Sequence, residues 1–166
     1  MKKLKKDGYE VTIENMMEHL SDIAGIRIIC SFTSDIYQIA EMIAHQADVT
    51  VLHVKDYIKN PKPNGYKSYH MVVTVPVYLS DGPVETKVEV QIRSVAMDFW
   101  ASLEHKIAYK FEGNAPENLL KELKACADIV DMLDAKMFSL NEAITAYAAE
   151  QRRQEEQAAK TEEEFS

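Results

Sequence analysis

A hairpin signal limits the fold of this chain more than any other feature of its sequence. Residues 68–79 and 86–93 are rich in β-branched residues, and the sequence Ser-Asp-Gly-Pro at positions 80–83 lies between them. A tight turn of this kind favours antiparallel pairing of the two runs that flank it. The sequence therefore predicts a sheet with at least one antiparallel pair of strands.

An α/β unit precedes the hairpin. Residues 25–32 have the pattern of a buried strand, and apolar residues at helical spacing follow at 36–44, after a candidate N-cap at Ser34 or Asp35. Another strand is predicted at residues 49–56. Together these runs predict an α/β (α+β) fold with a mixed, antiparallel-containing β-sheet of about five strands flanked by helices.

Helical patterns fill the second half of the chain. Residues 94–107 carry one apolar stripe, and a long helical region begins near Pro116. Its apolar residues follow the alternating four- and three-residue steps of a heptad seam. The seam consists of Leu119, Leu123, Cys126, Val130, Leu133, Met137, Leu140, Ile144 and Tyr147. It can pack on the chain's own sheet or on a second chain, and both alternatives remain open. The polar residues 151–166 predict a frayed, solvated tail.

The charges are unevenly distributed. The chain has 166 residues, the length of one domain, and a formal net charge of -8, which disfavours non-specific binding to a nucleic-acid backbone. The lysines nevertheless form two clusters, which are Lys2, Lys3, Lys5 and Lys6, and farther along Lys55, Lys59, Lys62 and Lys67. Concentrated cations predict a site for a compact polyanion, although a solvated chain end explains the first cluster equally well.

The cysteines and the N-terminus indicate a reducing compartment. Cys30 and Cys126 lie far apart and in no metal-ligand spacing, so we expect them to be small apolar fillers. The N-terminus lacks the apolar run of a signal peptide, and no stretch approaches the roughly 18 apolar residues of a membrane span. We expect a cytoplasmic protein.

One predicted strand carries polar side chains on a single face. In Val-Glu-Val-Gln-Ile-Arg at residues 88–93, the period of two places Glu89, Gln91 and Arg93 together. That face binds a ligand, or it is the solvated face of an edge strand. Asp22 stands immediately before the first strand, where neighbouring strands can bring it toward Glu89. Two such carboxylates can hold Mg²⁺, although Asp22 alone has the pattern of a capping residue.

A loop before the hairpin supplies the remaining polar chemistry. Residues 60–65 contain two prolines and end in Asn-Gly, which favours a turn. Tyr66 follows this turn and can stack on a base, while Lys62, Lys67 and His70 reach phosphates. A half-buried tyrosine with no ligand is the alternative. The pattern indicates a polyphosphate or nucleotide site with metal help, and it does not name a reaction.

Four segments in this order resemble the synthetase domain of RelA/SpoT-type alarmone enzymes, which make guanosine tetra- and pentaphosphate. They are residues 22–27, 56–70, 89–93 and 99–110, within a resemblance that covers roughly residues 15–112. The last segment is similar to that of single-domain small alarmone synthetases, whose terminal helices build a homotetramer. The resemblance implies a nucleotidyltransferase-like synthetase core at residues 1–112, oligomerisation helices at 113–150 and a polar tail at 151–166.

The resemblance also implies a reaction, in which the 3′-hydroxyl of GDP or GTP attacks the β-phosphorus of ATP and AMP leaves. Asp22 and Glu89 would hold Mg²⁺, and Glu89 would accept the hydroxyl proton. Tyr66 would stack on guanine, Lys62 and His70 would contact the acceptor's 5′ phosphates, and Arg27 would stack on adenine. The residues implied to line the pocket are Lys59, Asn64, Gln91 and Arg93. Asp98 can accept hydrogen bonds from the N1 and N2 donors of guanine, or it lies on a helix surface without that role.

Two other functions remain compatible with these residues. The same transfer can use another acceptor, such as the 3′ end of tRNA or an adenine nucleotide, although the net negative charge disfavours tRNA. The chain can also be an inactive nucleotide-binding oligomerisation module. Members of the family have helices before the position of Lys2, with a basic segment that clamps ATP, and we expect Lys3 and Lys6 to retain part of that role.

Overall fold

The computed structural model of the chain describes residues 5, 8–12, 15–16, 19–20, 23–111 and 115–164. Within them lie four strands and three long helices. In chain order these are β1 (Ala24–Cys30), α1 (Thr33–Ala44), β2 (Thr50–Asp56), β3 (Tyr69–Leu79), β4 (Gly82–Ser94), α2 (Val95–Lys110) and α3 (Glu117–Glu164). All four predicted strands and the helices that follow them are present. The prediction of a buried first strand was wrong, because β1 lies at the edge of the sheet and most of its residues are exposed.

The sheet is mixed, as predicted, with the strand order β1-β4-β3-β2. β3 and β4 form the antiparallel hairpin, β2 pairs antiparallel with β3, and β1 pairs parallel with β4. The estimate of about five strands was too high for the described residues, because only the four β-rich runs of the sequence form strands there.

The core lies on one face of the sheet. Val88, Val90 and Ile92 alternate along β4 and point to this face, where α1 covers them with Ile36 and Ala40. Ile36 is 0% exposed. The N-cap of α1 is Phe32, whose backbone N–H donates to the Asp35 carboxylate, so Asp35 acts from the third helical position. The opposite face of β4 carries its polar side chains, among them Glu89, Gln91 and Arg93.

α3 is one continuous helix, and two expectations change with it. Its backbone stays helical to Glu164, so residues 151–164 are not the frayed tail that their polarity predicted, although residues 151–157 are exposed. Cys30 is a buried filler as expected, but Cys126 is exposed on α3, so the expectation was wrong there. The cause is that Cys126 belongs to a helix face that the described part of the chain leaves uncovered. No helix among the described residues is long and apolar enough to cross a membrane.

One part of the heptad seam packs on the chain's own fold, and the other part is exposed. Leu123 and Val130 are partly buried against the chain's own fold, together with Ala127, which is 8% exposed. Farther along α3, the ring of Phe138 lies 5.5 Å from that of Phe32. The exposed seam residues are Leu119, Cys126, Leu133, Met137, Leu140, Ile144 and Tyr147. Packing on the same chain therefore accounts for only part of the seam.

Candidate active site

The site lies on the polar face of β4, between its two neighbouring strands. The β1–β4 register pairs Gly25 with Glu89 and Arg27 with Gln91, and the β3–β4 register pairs His70 with Gln91. Arg27, Gln91 and His70 therefore stand side by side on three adjacent strands. Sheet register alone brings together residues that are far apart in the sequence.

A directed chain of hydrogen bonds runs from Arg93 to Glu89. Arg93 Nη2 donates to Tyr66 Oη at 2.8 Å, and Tyr66 Oη lies 2.8 Å from His70 Nε2. His70 Nδ1 lies 3.2 Å from Glu89 Oε1. A guanidinium only donates and a carboxylate only accepts, so His70 carries its proton on Nδ1 and accepts from the Tyr66 hydroxyl. The neutral imidazole thus connects the aromatic residue of the loop to the carboxylate of the strand.

The electrostatics of His70 agree with this assignment. Burial lowers the pKa of His70 below its ordinary value, and the positive charges of Arg93 and Lys62 lower it further. The carboxylate of Glu89 opposes this shift without reversing it. The imidazole is therefore neutral near pH 7.

Glu89 is oriented by two neighbours and remains accessible. Besides the contact with His70, its Oε2 accepts a hydrogen bond from Gln91 Nε2 at 3.1 Å. Its side chain is 25% exposed. It faces a cavity of about 220 Å³ that Gly25, Arg27 and Gln91 also line. A fixed carboxylate in such a cavity can accept a proton or bind a hard cation.

Arg93 is the central residue of the site, a role that the sequence did not indicate. It is 5% exposed, and its Nη1 donates to Asp98 Oδ1 at 2.9 Å while its Nη2 also donates to Gln91 Oε1 at 3.1 Å. The same Asp98 oxygen lies 3.4 Å from Arg27 Nη1. Arg93 therefore orients its neighbours, and Asp98 links two guanidinium groups.

The loop that carries Tyr66 is a compact turn. Gly65 has a φ of +90°, which L side chains rarely adopt, and the Tyr66 N–H donates to Asn64 Oδ1 at 3.2 Å. Asn64 Nδ2 in turn donates to Glu104 Oε1 at 3.2 Å. Lys62 Nζ lies 4.8 Å from the centre of the Tyr66 ring. Asn64 and Lys62 thus lie beside Tyr66, and their binding of a nucleotide stays a prediction.

Two other lysines of the second cluster lie elsewhere. Lys59 Nζ lies 3.9 Å from Asp56 Oδ2 and 5.4 Å from the centre of the Tyr37 ring. Lys67 Nζ lies 2.5 Å from Asp131 Oδ1 on α3. The expectation that Lys67 reaches phosphates beside His70 is therefore corrected, because its side chain is directed to α3.

A second cavity, of about 390 Å³, lies between the loop and α2. Tyr66, Arg27 and Arg93 line one side of it. The lining residues from α2 are Ala101, Ser102, Glu104, His105 and Lys106. The sequence placed residues 104–106 in a recognised segment but assigned them no role, and the hydrogen bond from Asn64 to Glu104 was not detectable from spacing.

The predicted metal site is described only in part. Asp22 lies outside the described residues, as do Lys2, Lys3 and Lys6. Glu89 supplies a hard oxygen ligand, and the β1–β4 register brings the start of β1, which Asp22 precedes by two positions, beside it. Among the residues that the structure describes, no three His, Cys, Asp or Glu side chains cluster as a metal site. The chemistry of Glu89 fits Mg²⁺, and the pairing with Asp22 stays a prediction.

The sequence and the fold of the chain match those of known proteins. Residues 1–114 match the family described as a region found in RelA/SpoT proteins. The GTP pyrophosphokinase YwaC of Bacillus subtilis is 49% identical over 142 residues, which are 86% of this chain and 68% of that protein.

Solved structures have the same fold. The crystal structure of small alarmone synthetase 2 from Bacillus subtilis superposes with a TM-score of 0.78 at 46% identity, over 86% of this chain and 73% of that one. Small alarmone synthetase 1 from the same organism, bound to its product pppGpp, gives a TM-score of 0.78 at 36% identity, over 86% and 72% of the two chains.

Proposed function

The chain belongs to the RelA/SpoT family, and on that premise we propose that it is a GTP pyrophosphokinase of the small alarmone synthetase type. It transfers the β,γ-pyrophosphate of ATP to the 3′-hydroxyl of GDP or GTP and releases AMP. The resemblance drawn from four sequence segments is confirmed. The observation in this chain that carries the proposal is the accessible Glu89 carboxylate, held between Gln91 and His70 and connected through Tyr66 to Arg93.

The acceptor nucleotide binds on the loop side of the site. The guanine base stacks on Tyr66, and Lys62, 4.8 Å from the centre of that ring, is close enough to serve the 5′ phosphates of the same nucleotide. The contact of His70 with these phosphates requires a ring nitrogen to leave its present partner, because Nε2 accepts from the Tyr66 hydroxyl and Nδ1 donates to Glu89. A nucleotide placed in this way brings its ribose toward Glu89, which lies on the next strand.

ATP binds on the β1 side of the site. Arg27 offers a planar guanidinium, 50% exposed, that can stack on adenine. The 3′ oxygen of the acceptor attacks the β-phosphorus of ATP while Glu89 accepts the hydroxyl proton. The bond from the β-phosphorus to the oxygen shared with the α-phosphorus breaks, and AMP leaves with that oxygen. Alignment and charge neutralisation supply most of the acceleration in such transfers.

Mg²⁺ is part of this proposal. Glu89 and Asp22 would hold the ion, and Mg²⁺ would neutralise the phosphate charge of ATP when bound. Because both substrates are cytoplasmic nucleotides, the cytoplasm is the proposed location.

We also propose that a second copy of this chain covers the exposed seam of α3. The seam repeats every three and four residues, and Leu133, Met137 and Leu140 are each more than half exposed. An exposed apolar stripe with this spacing is stabilised when it packs against an identical helix and is removed from water. A homotetramer is the expected assembly, and light scattering with chromatography would measure it. A monomer at micromolar concentration would contradict the proposal.

The decisive experiment is a product assay. The protein is incubated with ATP, Mg²⁺ and GDP or GTP, with ADP or tRNA in parallel, and nucleotides are separated by anion-exchange chromatography. We expect ppGpp or pppGpp and an equal amount of AMP. If AMP is released only with tRNA or ADP, that molecule is the acceptor instead of GDP or GTP. If nucleotides bind but no AMP is released with any acceptor, the chain is an inactive nucleotide-binding module.

Glu89→Gln tests the mechanism within that assay. The amide keeps the shape of the side chain but cannot accept the proton, so we expect kcat to fall about 10²–10⁴-fold with unchanged folding. Glu85→Gln is the matched control, because Glu85 is exposed on the same strand away from the site. Retained turnover in Glu89→Gln would remove Glu89 from the reaction.

A further inference from the structure

α3 forms a supporting surface under the loop that carries Tyr66. A Cβ added at Gly65 would lie 2.5 Å from the Ala127 Cβ and 3.1 Å from Lys124 Cδ, both on α3. Contacts below 3.0 Å are not tolerated without movement, so the loop backbone rests directly on the helix. Ala127 is 8% exposed, so the contact lies in a buried part of the helix surface.

An ion pair fixes the other side of the same loop. Lys67 Nζ lies 2.5 Å from Asp131 Oδ1, one helical turn beyond Ala127. The Lys67 side chain is 24% exposed and that of Asp131 is 50% exposed. Tyr66 thus stands between a glycine that touches α3 and a lysine that is bound to it.

The indole of Trp100 completes the support. Trp100 Nε1 donates to the Leu123 carbonyl at 3.1 Å, and the Tyr66 ring packs against the cluster of Trp100, Ala101 and Ala127. Within the loop, the Gly65 N–H donates to the Lys62 carbonyl at 2.8 Å. The loop is closed by this hydrogen bond, and α3 helps to set its position relative to the sheet, together with the hydrogen bonds of Tyr66 to Arg93 and His70.

The two halves of the site differ in what holds them. Arg27, Glu89 and Gln91 belong to strands β1 and β4, where sheet hydrogen bonds fix their backbones. Tyr66 and Lys62 belong to the loop that rests on α3. A change in the contact between the loop and α3 should therefore affect the binding of the acceptor nucleotide more than the binding of ATP.

We propose that Asp131 is a positioning residue for the acceptor nucleotide, which acts through Lys67 and together with the contact of Ala127 and Gly65 to set the place of Tyr66. This inference rests on the proposed function, since it assumes that Tyr66 binds the guanine nucleotide. It gives α3 two roles, because the helix that carries the exposed apolar seam also holds the substrate loop.

The test compares Asp131→Asn, Lys67→Met and the exchange Lys67→Asp with Asp131→Lys. We expect each single change to raise KM for GDP or GTP about two- to fivefold, as the strength of a partly exposed ion pair allows. KM for ATP and kcat stay within twofold of the unsubstituted protein, and the exchange recovers much of the loss. A purely structural role would lower the melting temperature and move all three constants together.

The matched control is Glu117→Gln on the same helix. It breaks the exposed pair between Lys121 and Glu117, which are 2.9 Å apart. Glu117 precedes Ala127 by about 15 Å along the helix. We expect no change in either KM. Ala127→Leu, which forces a larger side chain against Gly65, should raise KM for the guanine nucleotide more than Asp131→Asn, with KM for ATP again unchanged.

Binding separates this proposal from the proposed function. Isothermal titration with GDP, without ATP, measures the acceptor half even if no turnover occurs. Weaker GDP binding in Asp131→Asn supports the positioning role, also when the protein makes no guanosine polyphosphate and the proposed function fails. Equal GDP affinity in Asp131→Asn and the unsubstituted protein, or no GDP binding by the unsubstituted protein, overturns the positioning role.

Discussion

Replacing Gly65 by alanine should destabilise the protein through two separable costs. An L-residue at positive φ costs about 1–2 kcal/mol, and Gly65 has a φ of +90°. The added Cβ also meets the Ala127 Cβ at 2.5 Å, and relief of such a contact costs about 1–3 kcal/mol in a packed region. We expect Gly65→Ala to lower the free energy of unfolding by about 2–5 kcal/mol from these two terms.

Gly82 supplies the matched control, because it has the strained backbone without the contact. Its φ is +124°, and nothing lies within 4 Å of an added Cβ. Gly82→Ala should therefore cost only about 1–2 kcal/mol, the backbone term. The difference between the two alanine variants measures the contact between the loop and α3.

A double variant identifies the partner of that contact. Ala127→Gly costs about 1 kcal/mol in a helix, but it removes the Cβ that the new methyl group meets. The loss in the double variant should be smaller than the sum of the single losses by about 1–3 kcal/mol, the coupling of two groups in contact. Urea unfolding followed by circular dichroism, at one protein concentration, measures the four variants and the unsubstituted protein. Equal losses for Gly65→Ala and Gly82→Ala, or strictly additive losses in the double variant, would refute the reasoning.

Three further predictions concern other parts of the molecule. Tyr66→Phe keeps the ring but removes the hydroxyl that pairs with buried Arg93 and half-buried His70, so we expect the free energy of unfolding in urea to fall by about 1–3 kcal/mol. Tyr66→Ala, which also removes the ring, should weaken GDP binding more than Tyr66→Phe. Burial, with help from Asp56, raises the pKa of Tyr37 to about 12 from 10.0. The stability that this shift contributes is complete below pH 10 and is lost as the pH rises to about 12, so Tyr37→Phe should lose less stability than the unsubstituted protein over that range. Parallel slopes of stability against pH would contradict this. Leu140→Glu should dissociate the proposed oligomer in light scattering without a change in circular dichroism, and an unchanged mass would exclude that part of the seam.

Local patterns were sufficient for the sheet and for much of the site. The period of two in residues 88–93 placed Glu89, Gln91 and Arg93 on one face, and the turn at residues 80–83 predicted the antiparallel pairing in which His70 stands opposite Gln91. These relations depend on neighbours in sequence or on one turn. They could be predicted because few other arrangements satisfy them.

The features that could not be predicted depend on packing between residues that are far apart in the sequence. Lys67 was expected near phosphates, and its partner Asp131 lies 64 residues away on a helix whose docking depends on the whole fold. The role of Arg93 depends on the path of the loop, which brings the Tyr66 hydroxyl within 2.8 Å of it. Spacing within a strand gives the direction of a side chain but not the element that it meets.

The continuity of α3 bears on how its polar end becomes ordered. Forming the first helical turn is the unfavourable step, whereas each later residue adds a hydrogen bond for little cost. In α3 the segment up to about Phe138 is fixed by the tertiary contacts of Ala127, Asp131 and Phe138. Residues 139–164 therefore extend a helix that is already nucleated. As an isolated peptide the same residues would have to form their own first turn, so their helicity is acquired from the folded body of the protein.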